Sequence, residues 1–312
     1  MHTNDLNDDL SGDQIATLFT VGFSSGSSGA TTLLRAAATA GGGEYYDATD
    51  PTKLGAKLQQ ALSAILEINT TFTAPSVASN SVDRTETLDS AYYGMFIPAN
   101  GARWQGNLKK LKVTNKVQVD RNGDAAIGTT GNILPTASTY WESSSTPDGN
   151  DVKKGGVVGM LSAKANRTIY SDIGIITEDE DTTDQDEVIA INLAIAKSKL
   201  GGKSGLAAEL SVPEDDVDDY FNWALGIDVD DDDKDGLSTD IRPDTFGDPL
   251  HFKPLVINYG GSGDEPDIRI VVGTNSGALH MFADSGADVD ESWAFMPKEF
   301  FKKIKTLKDN LP

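Results

Sequence analysis

The chain has 312 residues, of which 38% are hydrophobic, and its formal net charge at pH 7 is −22. This length suits two or three domains, and the hydrophobic fraction indicates packed cores, which excludes a largely disordered chain. So acidic a surface repels nucleic acid and anionic lipid but attracts divalent cations. The absence of cysteine excludes disulfides, and no apolar run approaches the roughly 20 residues of a membrane span.

Residues 1–70 alternate between strand and helix patterns. The apolar run at 15–23 favours a buried strand, residues 31–40 favour a helix that ends at three glycines, and residues 44–48 favour a second strand. Asp50 then caps a further helix. The apolar face of that helix comprises Leu54, Leu58, Ala61, Leu62, Ile65 and Leu66. This order predicts a parallel sheet with crossover helices, a Rossmann-like α/β arrangement.

Two strands do not make a stable sheet of this type, so we expect further strands before them in a longer chain. The first residues are acidic and polar, whereas a secretory signal needs a basic start and an apolar stretch. Either the protein is cytoplasmic or the sequence is an internal piece of a longer exported chain, and the incomplete sheet and propeller patterns at its two ends favour the second interpretation.

Two motifs that suggest catalysis are rejected. Residues 22–26 match the G-x-S-x-G pattern of serine hydrolases, but a Ser/Gly stretch separates them from the next helix, and only three histidines are present to serve as base. Residues 201–204 resemble the end of a phosphate-binding loop, but Lys197 stands where that loop needs glycine. We expect neither a nucleophile nor a nucleotide site.

Residues 71–180 are predicted to form a β-rich connector. Strand patterns cover residues 92–98, 104–113, 116–119, 153–161 and 167–170. The stretch Asp120-Arg-Asn-Gly-Asp124 carries Asn-Gly, which favours a hairpin turn over a cation site. Lys109, Lys110 and Lys112 form the one basic cluster, which we expect at a solvated strand edge, where lysines hinder aggregation.

Residues 181–227 are predicted to form an acidic and helical segment. The acidic run at 178–187 lacks alternation and glycine, so we read it as solvated. Residues 188–200 favour a helix, and a second helix begins at Pro213 with acidic residues in its first turn, as the helix dipole prefers. The apolar stripe of the second helix is interpreted as packing and not as a cofactor site.

The densest acidic stretch, Asp228–Asp240, holds six aspartates before Gly236. Carboxylates at alternate positions before a glycine suit Ca²⁺, which takes oxygen ligands from alternate positions of a sharply turning loop. The predicted ligands are Asp231, Asp233, Asp235, the carbonyl of Leu237, and Asp240. The full EF-hand pattern fails, because Arg242 occupies the twelfth position where a glutamate belongs. The alternative is an acidic linker that its own charges keep extended.

Residues 228–312 are predicted to comprise this loop and the first blade of a β-propeller. Four strand patterns with short turns cover residues 255–259, 268–273, 278–282 and 292–297. One blade cannot close a ring, so we expect more blades in a longer chain. Residues 298–311 favour a basic helix. His251, in a turn, and His280, on a strand, are interpreted as hydrogen-bonded structural histidines and not as ligands.

Several segments together resemble the PilY/PilC family of adhesins associated with type IV pili. They lie in family order along nearly the whole chain. The segments are Leu18-Phe-Thr-Val-Gly-Phe23, Gly41-Gly-Gly-Glu-Tyr-Tyr46, Phe72-Thr-Ala-Pro75, Trp104-Gln-Gly-Asn-Leu-Lys-Lys110, Gly247-Asp-Pro-Leu-His251 and Val271-Val-Gly-Thr-Asn-Ser-Gly-Ala-Leu-His280.

The resemblance implies a von Willebrand factor A-like domain that ends near residue 70 and a modified β-propeller that begins near residue 228. It also implies a non-catalytic protein of the cell surface and pilus tip, which contacts minor pilins and supports pilus extension, adhesion and twitching motility under calcium control. The chain departs from the family pattern, because the Asp-x-Ser-x-Ser metal motif of the A domain and most of the propeller are absent.

Two alternatives remain open. Quinoprotein dehydrogenases also use blades with glycine turns and tryptophans, but they need a stacked cofactor, an adjacent Ca²⁺ and a catalytic aspartate, and one blade cannot form such a pocket. A structural propeller module without any ligand is the other alternative. A flat calcium titration would favour that module, and dye-linked turnover with added quinone would favour the enzyme.

Overall fold

The computed structural model describes residues 18–23, 28–48, 58, 72–77, 89–128, 131–142, 144–164, 166–174, 188–262 and 265–311. Within these ranges the protein is mixed α/β, as predicted, with six α-helices and three β-sheets. The chain divides into two compact units, Met1–Thr70 and Thr71–Pro312. The domain boundaries predicted after residues 70, 180 and 227 stay predictions.

The first unit contains a parallel pair of strands joined by a helix. Strand β1 is Leu18–Phe23, helix α1 is Ser28–Ala40 and strand β2 is Gly42–Ala48. β1 pairs with β2 in parallel, which confirms the predicted order of strand, helix and strand. The hydroxyl of Thr20 on β1 donates to the carbonyl of Leu34 on α1 at 2.9 Å and so ties the helix to the sheet.

The second unit contains a four-stranded antiparallel sheet in the order β3–β4–β5–β6. The strands are β3 (Phe72–Val77), β4 (Ser90–Ile97), β5 (Gln105–Thr114) and β6 (Val117–Val119). Asn115 and Lys116 connect β5 to β6 with φ of 50° and 68°, as a two-residue hairpin of type I′ requires. Most residues of the central strands β4 and β5 are buried, so both faces of this sheet are covered.

A six-stranded sheet has the order β8–β7–β12–β11–β10–β9. Its strands are β7 (Ile169–Ser171), β8 (Ile189–Ala190), β9 (Leu255–Ser262), β10 (Glu265–Gly273), β11 (Leu279–Asp284) and β12 (Val289–Phe295). The antiparallel run β9 to β12 confirms the four predicted strands. β7 extends the sheet by pairing in parallel with β12, where Ala294 lies opposite Ile169.

Five helices belong to the second unit. They are α2 (Gly156–Ser162), α3 (Leu193–Lys199), α4 (Gly202–Leu210), α5 (Val217–Ala224) and α6 (Phe301–Asp309). Helices α3 to α6 share a core with β7 and β12. At its centre the rings of Phe221 and Phe301 meet edge to face, with centroids 5.6 Å apart, a geometry that aromatic pairs prefer.

A second core joins the two sheets of this unit. Tyr92 and Leu108 from β4 and β5 pack in one cluster with Ile270 and Phe282 from β10 and β11 and with Phe246 from the preceding loop. Because the segment that follows the Asp-rich stretch contributes Phe246 to this core, the chain is held firmly on the C-terminal side of that stretch.

Two predictions of secondary structure are wrong. Residues 153–161 were expected to be strand, but α2 begins at Gly156, whose φ of 57° follows a φ of 58° at Gly155. The valines of this stretch favour strand, but their burial between the sheets holds them in a helix. Residues 188–200 were expected to be one helix, but β8 comes first and Asn192 caps a shorter helix by accepting from the backbone N–H of Ile195 at 2.9 Å.

The interpretation of the lysine cluster is also wrong for two of its three members. Lys109 and Lys110 are 0% and 3% exposed, because each pairs with a buried aspartate, Asp148 and Asp284 respectively. Only Lys112 is partly exposed, beside Asp89 at 3.3 Å. A charge in the interior is tolerated when it is paired and hydrogen-bonded.

Some predictions fall on residues that the structure does not describe. These are the helix after Asp50 apart from Leu58, the serine motif at 24–26 and the acidic run at 178–187. In the ranges given above, no helix combines the length and apolar character needed to traverse a bilayer.

Candidate metal centre

The Asp-rich stretch is a loop closed at its base by backbone pairing. Ile227 and Ile241 form an antiparallel bridge, and the N–H of Asp228 donates to the carbonyl of Asp240 at 2.9 Å. Helix α5 ends three residues before this bridge. The two ends of the loop are therefore held together, Val229 packs against the helical core, and residues 232–239 are exposed.

Left-handed backbone conformations shape the loop. The φ angles are 53° at Asp231, 63° at Lys234 and 88° at Gly236. Glycine adopts this region at no steric cost, and aspartate tolerates it better than most residues. The glycine that the sequence pattern singled out therefore lies at a position that needs it.

Carboxylate oxygens within the loop accept hydrogen bonds from its own backbone. Asp231 Oδ1 accepts from the N–H of Gly236 at 3.1 Å, Asp233 Oδ1 from that of Asp235 at 3.1 Å, and Asp235 Oδ1 from that of Leu237 at 2.7 Å. These short-range bonds tie the three side chains to the backbone of the turn, as aspartates in turns commonly do.

The three alternating aspartates form one cluster. One carboxylate oxygen from each of Asp231, Asp233 and Asp235 lies within 4.8 Å of the other two. Ca²⁺ binds oxygen at 2.3–2.6 Å, so two ligand oxygens on opposite sides of the ion are about 5 Å apart. The cluster therefore has dimensions that a single cation can bridge.

The aspartates at the intervening positions turn to the protein instead. Asp230 accepts from Lys308 Nζ of α6 at 2.6 and 2.8 Å, and Asp232 pairs with Arg103 Nη1 at 3.0 Å. Alternation thus divides the carboxylates into two sets. One set anchors the loop to protein cations, and the other is left free of protein cations among the described contacts.

Asp228 and Asp240 lie at the base of the loop. Asp228 is fully buried; its Oδ1 accepts from the N–H of Asp232 at 2.9 Å, while its Oδ2 has no hydrogen-bond partner in the described part of the chain. The same holds for the buried Oδ1 of Asp240. Burial raises the pKa of the Asp228 carboxyl above its usual range.

Of the five predicted ligand positions, the structure brings three together. Asp231, Asp233 and Asp235 form the cluster, whereas Asp240 is not part of it. The side chain of Leu237 is 54% exposed, and the prediction concerned its carbonyl. The ligand roles of Leu237 and Asp240 stay predictions.

Arg242, at the twelfth position of the loop, has a structural role. Its guanidinium lies 3.9 Å from the ring centroid of Trp223 and pairs with Asp244. Arg103 also pairs with Asp244, at 3.0 Å, in addition to its bond to Asp232. Arg103 and Arg242, which share Asp244, therefore link the Asp232 carboxylate of the loop to the core around Trp223.

Sequence reasoning missed Arg103 and Lys308. They lie 129 and 78 positions from the aspartates that they bind, and nothing local in the sequence marks them. The other candidate cation site, at Asp120, is a turn as predicted. Asp120 is buried and accepts from the N–H groups of Asn122, Asp124 and Ser138, as an aspartate that stabilises a turn does.

His280 is a buried structural residue, as predicted. Its Nδ1 lies 2.8 Å from Glu291 Oε1, and Arg167 donates to both oxygens of that glutamate at 2.7 and 2.8 Å. Burial would raise the pKa of Glu291, but the hydrogen bonds from Arg167 and His280 outweigh it and lower the pKa to about 2. Burial lowers the pKa of His280. His251 is exposed.

Comparison with models of protein families finds no match, and comparison with curated proteins and with solved structures likewise finds none.

Proposed function

We propose that the loop Asp228–Asp240 binds Ca²⁺ through Asp231, Asp233 and Asp235, with the Leu237 carbonyl and Asp240 completing the shell. The observation that carries the proposal is the meeting of three carboxylates without a described protein cation, in a loop where the intervening Asp230 and Asp232 each pair with one. Three like charges held this close repel one another. A hard cation with oxygen ligands removes that repulsion and fixes the turn.

The cation-bound loop joins the helical core to the six-stranded sheet. Its N-terminal end follows α5, and its C-terminal end leads through Arg242 to Phe246 in the core between the sheets. Ordering the loop stabilises the folded state, because a ligand that binds only that state at 100 times its Kd adds about 2.7 kcal/mol.

Calcium titration of the EDTA-treated chain tests this proposal. We expect a binding isotherm and a rise in melting temperature for the native chain, and the loss of both in Asp233→Asn. Asp219→Asn is the matched control, because Asp219 is exposed on α5 outside the cluster and the change in charge is the same. Equal isotherms for Asp233→Asn and the native chain would overturn the site.

At the level of the whole protein, we propose a non-catalytic adhesin of the type IV pilus tip that supports pilus assembly, adhesion and twitching motility at the cell surface. Support comes from the PilY/PilC-like segments given above, and the four-stranded run β9 to β12 is compatible with a first propeller blade. The von Willebrand A-like assignment of residues 1–70 rests on the same resemblance and on the parallel pair β1 and β2.

The biological proposal has its own test. Deleting the gene is expected to abolish surface pili and twitching, and restoring a copy with Asp233→Asn is expected to leave motility insensitive to calcium. Normal piliation and motility in the deletion strain would contradict the pilus role. Direct binding of the purified chain to minor pilins, measured with and without calcium, would identify the partner.

A further inference from the structure

Lys109 is buried, and its ammonium group contacts three acceptor oxygens. It lies in the middle of β5, and its side chain is 0% exposed. Its Nζ donates to the carbonyls of Asp148 at 2.8 Å and Gly149 at 2.9 Å, and it lies 2.9 Å from Asp148 Oδ2. All of these acceptors belong to two consecutive residues, which lie 39 and 40 positions further along the chain.

The partner carboxylate is equally buried and held in one orientation. Asp148 Oδ1 accepts from the N–H of Thr139 at 2.7 Å, and Oδ2 accepts from the Thr139 hydroxyl at 2.6 Å. The Asp148 side chain is 0% exposed. The amine and the carboxyl group therefore face each other in fixed geometry without solvent between them.

A second carboxylate adjoins the pair. A Cβ atom built on Gly155 would lie 2.4 Å from Asp148 Oδ2 and 2.8 Å from Glu142 Oε2, so the two oxygens flank the same point. Gly155 has φ of 58°, and any side chain there would separate the acids. Lys109, Asp148 and Glu142 thus form a compact group of one amine and two carboxyls.

Burial favours the uncharged form of the Lys109 amine. Loss of solvation lowers the pKa of the Lys109 ammonium, although Asp148 opposes that effect. In an environment without water, transfer of one proton from the ammonium to the carboxylate gives an amine next to a carboxylic acid at reduced cost. An uncharged amine is a nucleophile, and a protonated carboxyl group is the form that it attacks.

We propose that Lys109 and Asp148 join through an intramolecular isopeptide bond, with Glu142 as the proton-transfer residue. The lone pair of Nζ forms a bond to Cγ of Asp148, and the bond from Cγ to Oδ2 breaks. Glu142 takes one proton from the attacking nitrogen and gives it to the departing oxygen, which leaves as water.

The atoms balance without a further reactant. Of the three ammonium protons, one passes to the Asp148 carboxylate, one passes through Glu142 to the leaving hydroxyl, and one stays on the new amide. The remaining N–H keeps an acceptor in the carbonyl of Gly149, and the amide oxygen keeps its donor in the N–H of Thr139. The product therefore fits the hydrogen bonds already present around the pair.

Such a bond ties strand β5 to the loop segment that covers the four-stranded sheet. A chain without cysteine has no disulfide to constrain these segments, and an amide cross-link restricts the unfolded chain in the same manner. The inference is independent of the calcium proposal, because none of its three residues belongs to the Asp-rich loop.

The intact mass of the full denatured chain tests the proposal directly. We expect a mass lower than the sequence mass by one water molecule, and digestion is expected to release one branched peptide that joins Lys109 to Asp148. A mass equal to that of the sequence would overturn the cross-link. Asp148-Gly149 can also lose water as a cyclic imide, so the branched peptide and its survival in alkaline hydroxylamine are required.

Variants separate the possible sources of water loss. Lys109→Arg is expected to restore the full mass, and Glu142→Gln, which leaves the buried pair intact, is expected to do the same in a folded chain. Lys112→Arg is the matched control on the same strand, since Lys112 pairs with Asp89 in a partly exposed position, and it stays lighter by one water. Persistent water loss in Lys109→Arg would overturn the assignment, and unchanged bond formation in Glu142→Gln would overturn the role of Glu142.

Discussion

The carboxylate of Glu291 lies 2.8 Å from Nδ1 of His280 on the neighbouring strand, and both side chains are 0% exposed. Because the glutamate is ionised, the imidazole nitrogen that faces it carries the proton. Arg167 supplies the compensating charge through two hydrogen bonds to the same carboxylate. These three residues connect β11 and β12 to the segment just before β7, and so they hold the two parts of the six-stranded sheet together.

Glu291→Ala is expected to destabilise the second unit strongly. Removing the carboxylate leaves the Arg167 guanidinium buried without its partner, and breaking a buried ion pair in this way costs about 3–5 kcal/mol. Urea unfolding followed by fluorescence measures the loss. Asp290→Ala, which removes an exposed partner of Lys164, is the control and is expected to change stability by no more than roughly 1 kcal/mol.

His280 predicts a dependence of stability on pH. Burial holds its pKa in the folded state below the ordinary value of 6.5. As pH falls below 6.5, the unfolded state takes up a proton that the folded state does not, so unfolding becomes more favourable. The difference in unfolding free energy between the native chain and His280→Asn should therefore shrink as the pH is lowered from about 7.5 to about 5. This range extends about 1 pH unit or more to either side of 6.5. A difference independent of pH would contradict this expectation.

Glu291 acts in a lower window. Its folded pKa is about 2, against an ordinary value of 4.5. The stability that it contributes is complete above 4.5 and is lost as pH falls from there towards 2, because only the unfolded state is protonated in that range. Acid unfolding of Glu291→Gln should be less steep across this window than that of the native chain.

Helix α2 offers a matched pair of glycine substitutions. Gly159→Ala should stabilise the chain by about 0.5–1 kcal/mol, because alanine favours the helix interior and a Cβ there meets nothing within 4 Å. Gly156→Ala should destabilise it, since φ is 57° and the Cβ would lie 2.5 Å from Asn107 Oδ1 and from the Leu108 carbonyl. Thermal unfolding of both variants measures the contrast, and equal shifts would refute it.

Arg242→Ala should weaken the base of the Asp-rich loop. The guanidinium lies over Trp223 and pairs with Asp244 while 3% exposed. Asp244 keeps its pair with Arg103 in the variant, so the expected loss is that of the buried cation–π contact, about 2 kcal/mol. Arg269→Ala, which removes the more exposed pair with Asp267, is the control, with an expected change of roughly 1 kcal/mol or less. Denaturant unfolding compares the two variants.

Local patterns account for what could be predicted. The strands β9 to β12 follow one another through short turns, so alternation and turn residues located all four. Asp231, Asp233 and Asp235 are each two positions apart, so local hydrogen bonds within the turn are enough to bring their carboxylates together. The sequence does not predict helix α2, because valines such as Val157 and Val158 favour strand. The positive φ angles of Gly155 and Gly156, together with burial between the sheets, produce a helix instead.

Contacts between distant positions account for what could not be predicted. Lys110 was expected in solvent because of its charge, yet it pairs with Asp284, 174 positions away. The pairing of β7 with β12 likewise joins segments more than 120 positions apart. No short window of sequence carries the information that places these residues together.

The parallel pairing of β7 with β12 also bears on how the chain acquires its structure. Strands β7 and β8 have too few residues to persist alone, and β12, which pairs with β7 in the described part of the chain, is synthesised much later. Contacts of such long sequence separation slow folding, since the intervening chain must first be closed into a loop. During synthesis, β7 and β8 therefore precede the strand on which they pack, and truncation before β12 should yield an aggregation-prone intermediate rather than a smaller domain.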